Sequence, residues 1–274
     1  MYEIGALRSL LCRYDNLVFF DVETTGFNAD KDDRIIELAA IQANAEGIVR
    51  QEDLLVQLPE GRSVPDKIVN LTGITDLMLL SGVTDKACAR TFSEMIEGKT
   101  LLVAHNAQFD LNFAAFMYVR HMKEHGEWMT AFTRCDYLDT LTVYKDRRAY
   151  PHKLANAITA YNLEDRVQNT HRAIDDVLAL FEVAKAMAAE RDDLLSYVNV
   201  FGYNPKYGVS GRELKKVKYH VQRFRDYMCS EEYTLPAIIC QRSETMMKEG
   251  SINAGVDYRR TCRTLRSRSW VGII

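Results

Sequence analysis

Apolar runs of strand length and apolar spacings of helix period follow one another through the first two hundred residues of this 274-residue chain. Leu17-Val18-Phe19-Phe20 is a continuous apolar run of the kind a buried strand requires. Residues 34–42 predict a second strand, Asn44-Ala45-Glu46-Gly47 a turn, and residues 48–58 a third strand, together an antiparallel meander. Pro65 opens a helical segment, and residues 84–97 predict another helix after the Ser81-Gly82 break. Leu101-Leu102-Val103-Ala104 is a short run suited to a buried strand. From Ala107 the spacing turns helical, with Phe109, Phe113, Phe116, Met117 and Val119 recurring at three to four residues. Residues 139–145, 153–161 and 171–190 predict further helices. Strands first, then helices alternating with short strands, imply an α/β fold built on a mixed sheet.

A division falls between residues 1–195 and 196–274, where the long helical pattern gives way to Phe201-Gly202-Tyr203-Asn204-Pro205-Lys206-Tyr207-Gly208, rich in turn residues and aromatics. Short strand candidates follow at 217–222 and 234–240. Apolar content is 47%, and no run approaches the roughly 18 apolar residues of a membrane span. The opening Met1-Tyr2-Glu3-Ile4 is unlike a signal peptide, so the expected address is cytoplasmic. Six cysteines lack CxxC or CxxH spacing, which argues for free thiols. Net charge is −3, but residues 1–200 carry −10 and residues 201–274 carry +7. An acidic body with a basic tail is a division that a nucleic-acid enzyme can use.

The chemistry begins at Asp21-Val22-Glu23-Thr24-Thr25-Gly26. Side chains alternate on a strand, so Asp21 and Glu23 project together, and two close carboxylates call for a hard cation such as Mg²⁺ or Mn²⁺. Three further segments follow: Asn70-Leu71-Thr72-Gly73-Ile74-Thr75, then His105-Asn106-Ala107-Gln108-Phe109-Asp110, then Thr170-His171-Arg172-Ala173-Ile174-Asp175-Asp176.

In that order DVETTG, LTGIT, HNAQFD and HRAIDD resemble the motifs of the DEDDh, or DnaQ-like, 3′ to 5′ exonucleases, over roughly residues 15–190. LTGIT matches a loop of the branch that contains bacterial replicative proofreading domains. The resemblance implies a ribonuclease H-like fold, a mixed five-stranded sheet flanked by helices. It also implies two divalent cations and stepwise release of nucleoside monophosphates from a 3′ end. It makes Asp21, Glu23, Asp110 and Asp176 the metal ligands, with Asp21 bridging both ions. His171 suits the general base, because imidazole exchanges protons near neutral pH. Two cations about 3.5–4 Å apart meet the needs of in-line attack on a phosphodiester.

Asp175 and Asp176 compete for one role. The family spacing selects Asp176, whereas a continuous helix would place Asp175 on the face of His171. Thr24, Thr25 and Gly26 are candidate contacts for the terminal nucleotide, and Leu71 and Ile74 candidate wedges against its base. Asn106 and Phe109 resemble cleft positions, Phe109 being equally suited to the core. Asp139 is read as a helix cap rather than a fifth ligand. His105 is read as structural, and His121, His125, His152 and His220 as surface or satisfied core histidines.

Beyond residue 200, Arg212, Lys215, Lys216, Lys218, Arg223 and Arg225 interleave with Tyr219 and Phe224, and Arg259, Arg260, Arg263, Arg266 and Arg268 crowd together. Such a region either holds single-stranded nucleic acid or packs as an arm on the core or a second subunit. The expected function is a DNA 3′ to 5′ exonuclease of proofreading or repair type, with a polymerase or a second copy of the chain as candidate partner. An exoribonuclease and an inactive nucleic-acid scaffold are the rivals.

Overall fold

The computed structural model describes residues 4–202, 218–220 and 232–233. The strand candidate at 234–240 and most of the basic tail lie outside the described residues. In chain order the elements are α1 (Arg8–Leu11), β1 (Asn16–Thr24), β2 (Ile35–Asn44), β3 (Gly47–Leu55), α2 (Asp66–Thr72), α3 (Asp76–Leu79), α4 (Asp85–Met95) and β4 (Thr100–Ala104). They continue as α5 (Ala107–His121), α6 (Gly126–Arg134), β5 (Asp136–Asp139), α7 (Thr140–Arg147), α8 (Leu154–Ala160) and α9 (Ala173–Glu190). Short strands β6 (Val200–Gly202), β7 (Lys218–His220) and β8 (Glu232–Tyr233) form a separate small sheet, with β7 inside the predicted 217–222 segment.

The main sheet has the order β3-β2-β1-β4-β5. The first three strands form the expected antiparallel meander, and β4 and β5 run parallel to β1, which makes the sheet mixed. Strand alternation divides β1 between two layers. Val18, Phe20 and Val22 pack with Phe92 of α4, Leu111 and Phe113 of α5 and Phe132 of α6. Leu17 and Phe19 face the other way, onto Val177, Leu180 and Phe181 of α9. Phe19 meets Phe181 edge-on at 5.0 Å between ring centroids, and Phe20 meets Phe92 at 5.1 Å. Each such ring is worth roughly 1.5–3 kcal/mol of burial, so the faces of β1 are firmly assigned. Tyr197, Val200 and Phe201 are also buried, which carries the packed body past residue 195.

Several elements escaped the sequence pattern, among them the short α1, β6 and β8 as well as β5 and α6. β5 is four residues long with an acid at each end, so no alternation marks it. Its acids have internal partners: Asp136 accepts from Tyr14 and Asn199, and Asp139 accepts from the N–H of Leu141, the cap role expected of it. α6 was also unforeseen. α9 starts at Ala173, two residues later than predicted, because His171 has φ 59°, in the left-handed region.

Candidate active site

β1 and β4 pair only as far as Phe19↔Val103, so among the described residues the last part of β1 has no strand on that side. Asp21 and Glu23 share the parity of Leu17 and Phe19 and therefore face the α9 layer. Val22 has the opposite parity, and its backbone N–H, left over by the β4 ladder, donates to Asp110 Oδ1 at 3.1 Å. Asp110 sits in the first turn of α5, and this bond seats it against the backbone of β1, close enough to Asp21 to feel its charge.

Asp176 occupies the first turn of α9 and is buried. Ligand atoms of Glu23, His171 and Asp176 all lie within 4.8 Å of one another. That tight group does not include Asp21 or Asp110, which join through electrostatics. Burial, then the charges of Asp176 and Glu37, pushes Asp21 up to about 8. Burial, then Asp21 and Asp176, pushes Glu23 to about 8 as well. Asp110 is raised by burial and by Asp21. Asp176 reaches about 6, raised by burial and restrained by a hydrogen bond from Asn169. Its Oδ1 is buried without a hydrogen-bond partner among the described residues. An orphaned carboxylate oxygen among mutually repelling acids is the donor set that hard divalent cations fit. Asp175 instead accepts from Thr170 Oγ1 at 2.6 Å.

The two helices that deliver Asp110 and Asp176 begin alike. Each is preceded by a residue in the left-handed region, Asn106 at φ 72° and His171 at φ 59°. Neither N-cap residue makes a side-chain cap of its own. A buried acid from a neighbouring strand supplies the acceptor instead. Asp139 Oδ1 takes the N–H groups of Asn106 and Ala107 at 2.9 and 3.1 Å. Glu37 Oε2 takes the N–H of Ala173 at 2.8 Å, and Glu37 Oε1 takes Nε of Arg172 at 2.9 Å. Glu37, which lies opposite Glu23 in the β1–β2 register, went unnoticed in the sequence. Its signal was a lone acid within the apolar run Ile35-Ile36-Glu37-Leu38.

The sequence profile of a family described as exonuclease, of the RNase T kind, matches residues 18–184. The chain belongs to that exonuclease family. This exonuclease is 32% identical over 208 residues to the PolC-type DNA polymerase III of Clostridium perfringens, a match covering 75% of the chain but only 13% of that protein. It is 32% identical over 170 residues to the DNA polymerase III subunit epsilon of Treponema pallidum, covering 62% of the chain and 75% of that subunit. Among solved structures, E. coli exonuclease I in complex with a dA16 oligonucleotide shares the fold. The TM-score is 0.58 at 20% identity, over 67% of this chain and 42% of that one.

Around the acids, this exonuclease places the remaining predicted residues unequally. The hydroxyls of Thr24 and Thr25 are committed inside their own loop. Thr24 donates to the Gly26 carbonyl at 2.6 Å, and Thr25 donates to Asp33 and accepts from the N–H of Arg34. Gly26 lies against Asp33, where an added Cβ would fall 2.4 Å from a carboxylate oxygen. Leu71 is 51% exposed, whereas Ile74 is fully buried among Ile36, Val64, Ile68 and Leu79. Ile74 is thus a core residue and offers no wedge. Asn106 is exposed, and Phe109 is partly buried, its ring tilted against Phe113 at 4.9 Å and edge-on to Phe27 at 6.3 Å. Phe27, 75% exposed with Lys67 Nζ 6.0 Å from its ring, is a second omission; its signal was an aromatic directly after the acidic motif. His105 bonds Thr140 and the His152 carbonyl, consistent with a structural role, and burial lowers its pKa. His121 pairs with Asp85, His125 stacks on Trp128, and His152 bonds the Arg148 carbonyl.

Proposed function

We propose that the chain is a metal-dependent 3′ to 5′ exonuclease that releases nucleoside 5′-monophosphates from DNA 3′ ends, in proofreading or repair. The observation that carries this reading is the convergence of Asp21, Glu23, Asp110, His171 and Asp176 at the open end of β1. The four carboxylates Asp21, Glu23, Asp110 and Asp176 would hold two divalent cations, Mg²⁺ or Mn²⁺. Such a pair, when bound, polarises the phosphodiester and stabilises the departing 3′ oxygen. The residues of the chain do the positioning. His171, exposed beside Glu23 and Asp176, accepts the proton of the attacking water at a ring nitrogen. Asp176, rather than Asp175, is the fourth ligand, because its oxygen is the orphaned one.

Thr24, Thr25 and Gly26 shape the loop beside the terminal nucleotide. Leu71, Phe109, Asn106 and the exposed ring of Phe27 supply the surface on which its base rests. Kinship with a PolC-type DNA polymerase III and a DNA polymerase III epsilon subunit supports DNA over RNA, a polymerase as partner and a cytoplasmic location. The catalytic domain in this reading extends from the N-terminal residues through the buried Phe201, and the basic region beyond it holds the strand.

The test uses end-labelled DNA and RNA, single-stranded and duplex, with Mg²⁺, Mn²⁺ or chelator, beside Asp21→Ala. The expected result is a ladder from the 3′ end of DNA that requires both metal and Asp21. Preference for RNA establishes the exoribonuclease rival; metal-independent cleavage, or none on any strand, defeats the reading.

A further inference from the structure

Glu37 is a fully buried carboxylate in an apolar strand, close enough to the metal cluster to raise the pKa of both Asp21 and Glu23. An apolar side chain of similar volume would pack there without that repulsion. Its oxygens are already engaged. Oε1 receives the Nε and Nη2 donors of Arg172, and Oε2 receives the Ala173 N–H. With both oxygens so bonded, Glu37 is poorly placed to serve as a fifth ligand. What it grips are the two residues directly after His171, which itself holds a left-handed backbone that a non-glycine residue rarely adopts.

We propose that the Glu37–Arg172 pair positions His171, so that Arg172 acts through the histidine and not on the substrate. β2 parity aims Glu37 at the start of α9, where no side chain of the helix caps its own N–H groups. The Nε–Nη2 edge of the guanidinium forks onto the single oxygen Oε1 while Oε2 holds the Ala173 N–H, so three bonds from two successive residues fix direction as well as distance. The strand thereby dictates where the chain turns out of the loop and where the His171 ring stands relative to Glu23 and Asp176. The inference rests on the exonuclease reading of the site.

The experiment compares Arg172→Gln in two backgrounds, the otherwise unaltered chain and His171→Ala, in single-turnover digestion of a labelled DNA strand with Mn²⁺. In the unaltered chain the rate constant should fall roughly 10- to 100-fold with KM within about twofold. In the His171→Ala chain the same change should cost no more than about twofold. Arg172→Lys, which keeps the charge and loses the fork, should fall between. Equal losses in both backgrounds, or a raised KM with a flatter salt dependence, overturn the proposal and make Arg172 structural or a phosphate contact. Glu37→Gln should match Arg172→Gln; should it fail to fold, the half-exposed Arg172 still decides the matter. An unaltered chain without nuclease activity refutes the functional reading alone. The anchor is then read from the His171 ring resonance, which Arg172→Gln must shift, an unchanged resonance refuting it.

Discussion

Asp110 Oδ1 accepts the backbone N–H of Val22 at 3.1 Å, which ties the acid of one motif to the backbone residue that separates Asp21 from Glu23 in sequence. The bond uses a donor that exists only because β4 stops pairing with β1 at Phe19. Sheet topology and site chemistry therefore meet at a single hydrogen bond.

Asp110 is buried, and its carboxyl is held well above the ordinary range by burial and by Asp21. Asp110→Asn keeps an acceptor for Val22 and removes a repelled charge. In chelator its melting temperature should equal or exceed that of the unaltered protein, while turnover drops by at least roughly 10²–10³-fold. Calorimetry and a gel ladder check both halves, and an active Asp110→Asn enzyme removes Asp110 from the ligand set.

The metal-free site should be acid-stabilised. Asp21 rises from 3.8 to about 8, Glu23 from 4.5 to about 8 and Asp176 from 3.8 to about 6. A carboxyl with a raised folded-state pKa contributes stability that is complete below its unfolded value and is lost as pH climbs through the folded value. The melting temperature in chelator should accordingly decline from roughly pH 4 to 8 relative to an Asp21→Asn/Glu23→Gln variant. Saturating Mn²⁺ should raise it by an increment that grows across the same window. Thermal melts at acidic, neutral and mildly alkaline pH decide this; an increment independent of pH contradicts it.

Gly26 has no room for a methyl group beside Asp33. Gly26→Ala should cost about 1–3 kcal/mol in chemical denaturation and impair turnover through the distorted Thr24–Thr25 loop. Adding Asp33→Ala removes the obstructing carboxylate and should recover part of the stability. No recovery would mean that the strain lies elsewhere.

Leu71, Phe27 and Ile74 separate surface from core. Ile74→Ala should destabilise by about 2–5 kcal/mol. Leu71→Ala and Phe27→Ala should leave stability within about 0.5 kcal/mol. Phe27→Ala should weaken strand binding by about 1–3 kcal/mol, the worth of one stacked base. Denaturant melts beside fluorescence-anisotropy titrations with single-stranded DNA, on an Asp21→Ala background, measure both; unchanged binding by Phe27→Ala refutes the stacking surface.

The legible part of the molecule is local in origin. The runs at 17–20 and 101–104 announce themselves as continuous apolar stretches, buried on both faces of the sheet, and the helix from Ala107 by apolar residues three to four apart, because each pattern records how its own element is buried. Motif resemblance, not periodicity, singled out Asp21, Glu23, Asp110, His171 and Asp176, and for the last it overruled helical spacing, which favoured Asp175. The alternation of β1 already put Asp21 and Glu23 on one side. What the pattern left open depends on partners distant in sequence. Whether Ile74 meets a base or the core depends on Ile36, Val64 and Ile68; whether α9 begins at His171 or Ala173 depends on an acceptor offered from β2. Glu37 and Asp139 looked ordinary in sequence, and only tertiary structure brings them to the helix starts that orient Asp176 and Asp110. A side chain's period is set by its own backbone, but its partner is set by the packing of the whole sheet.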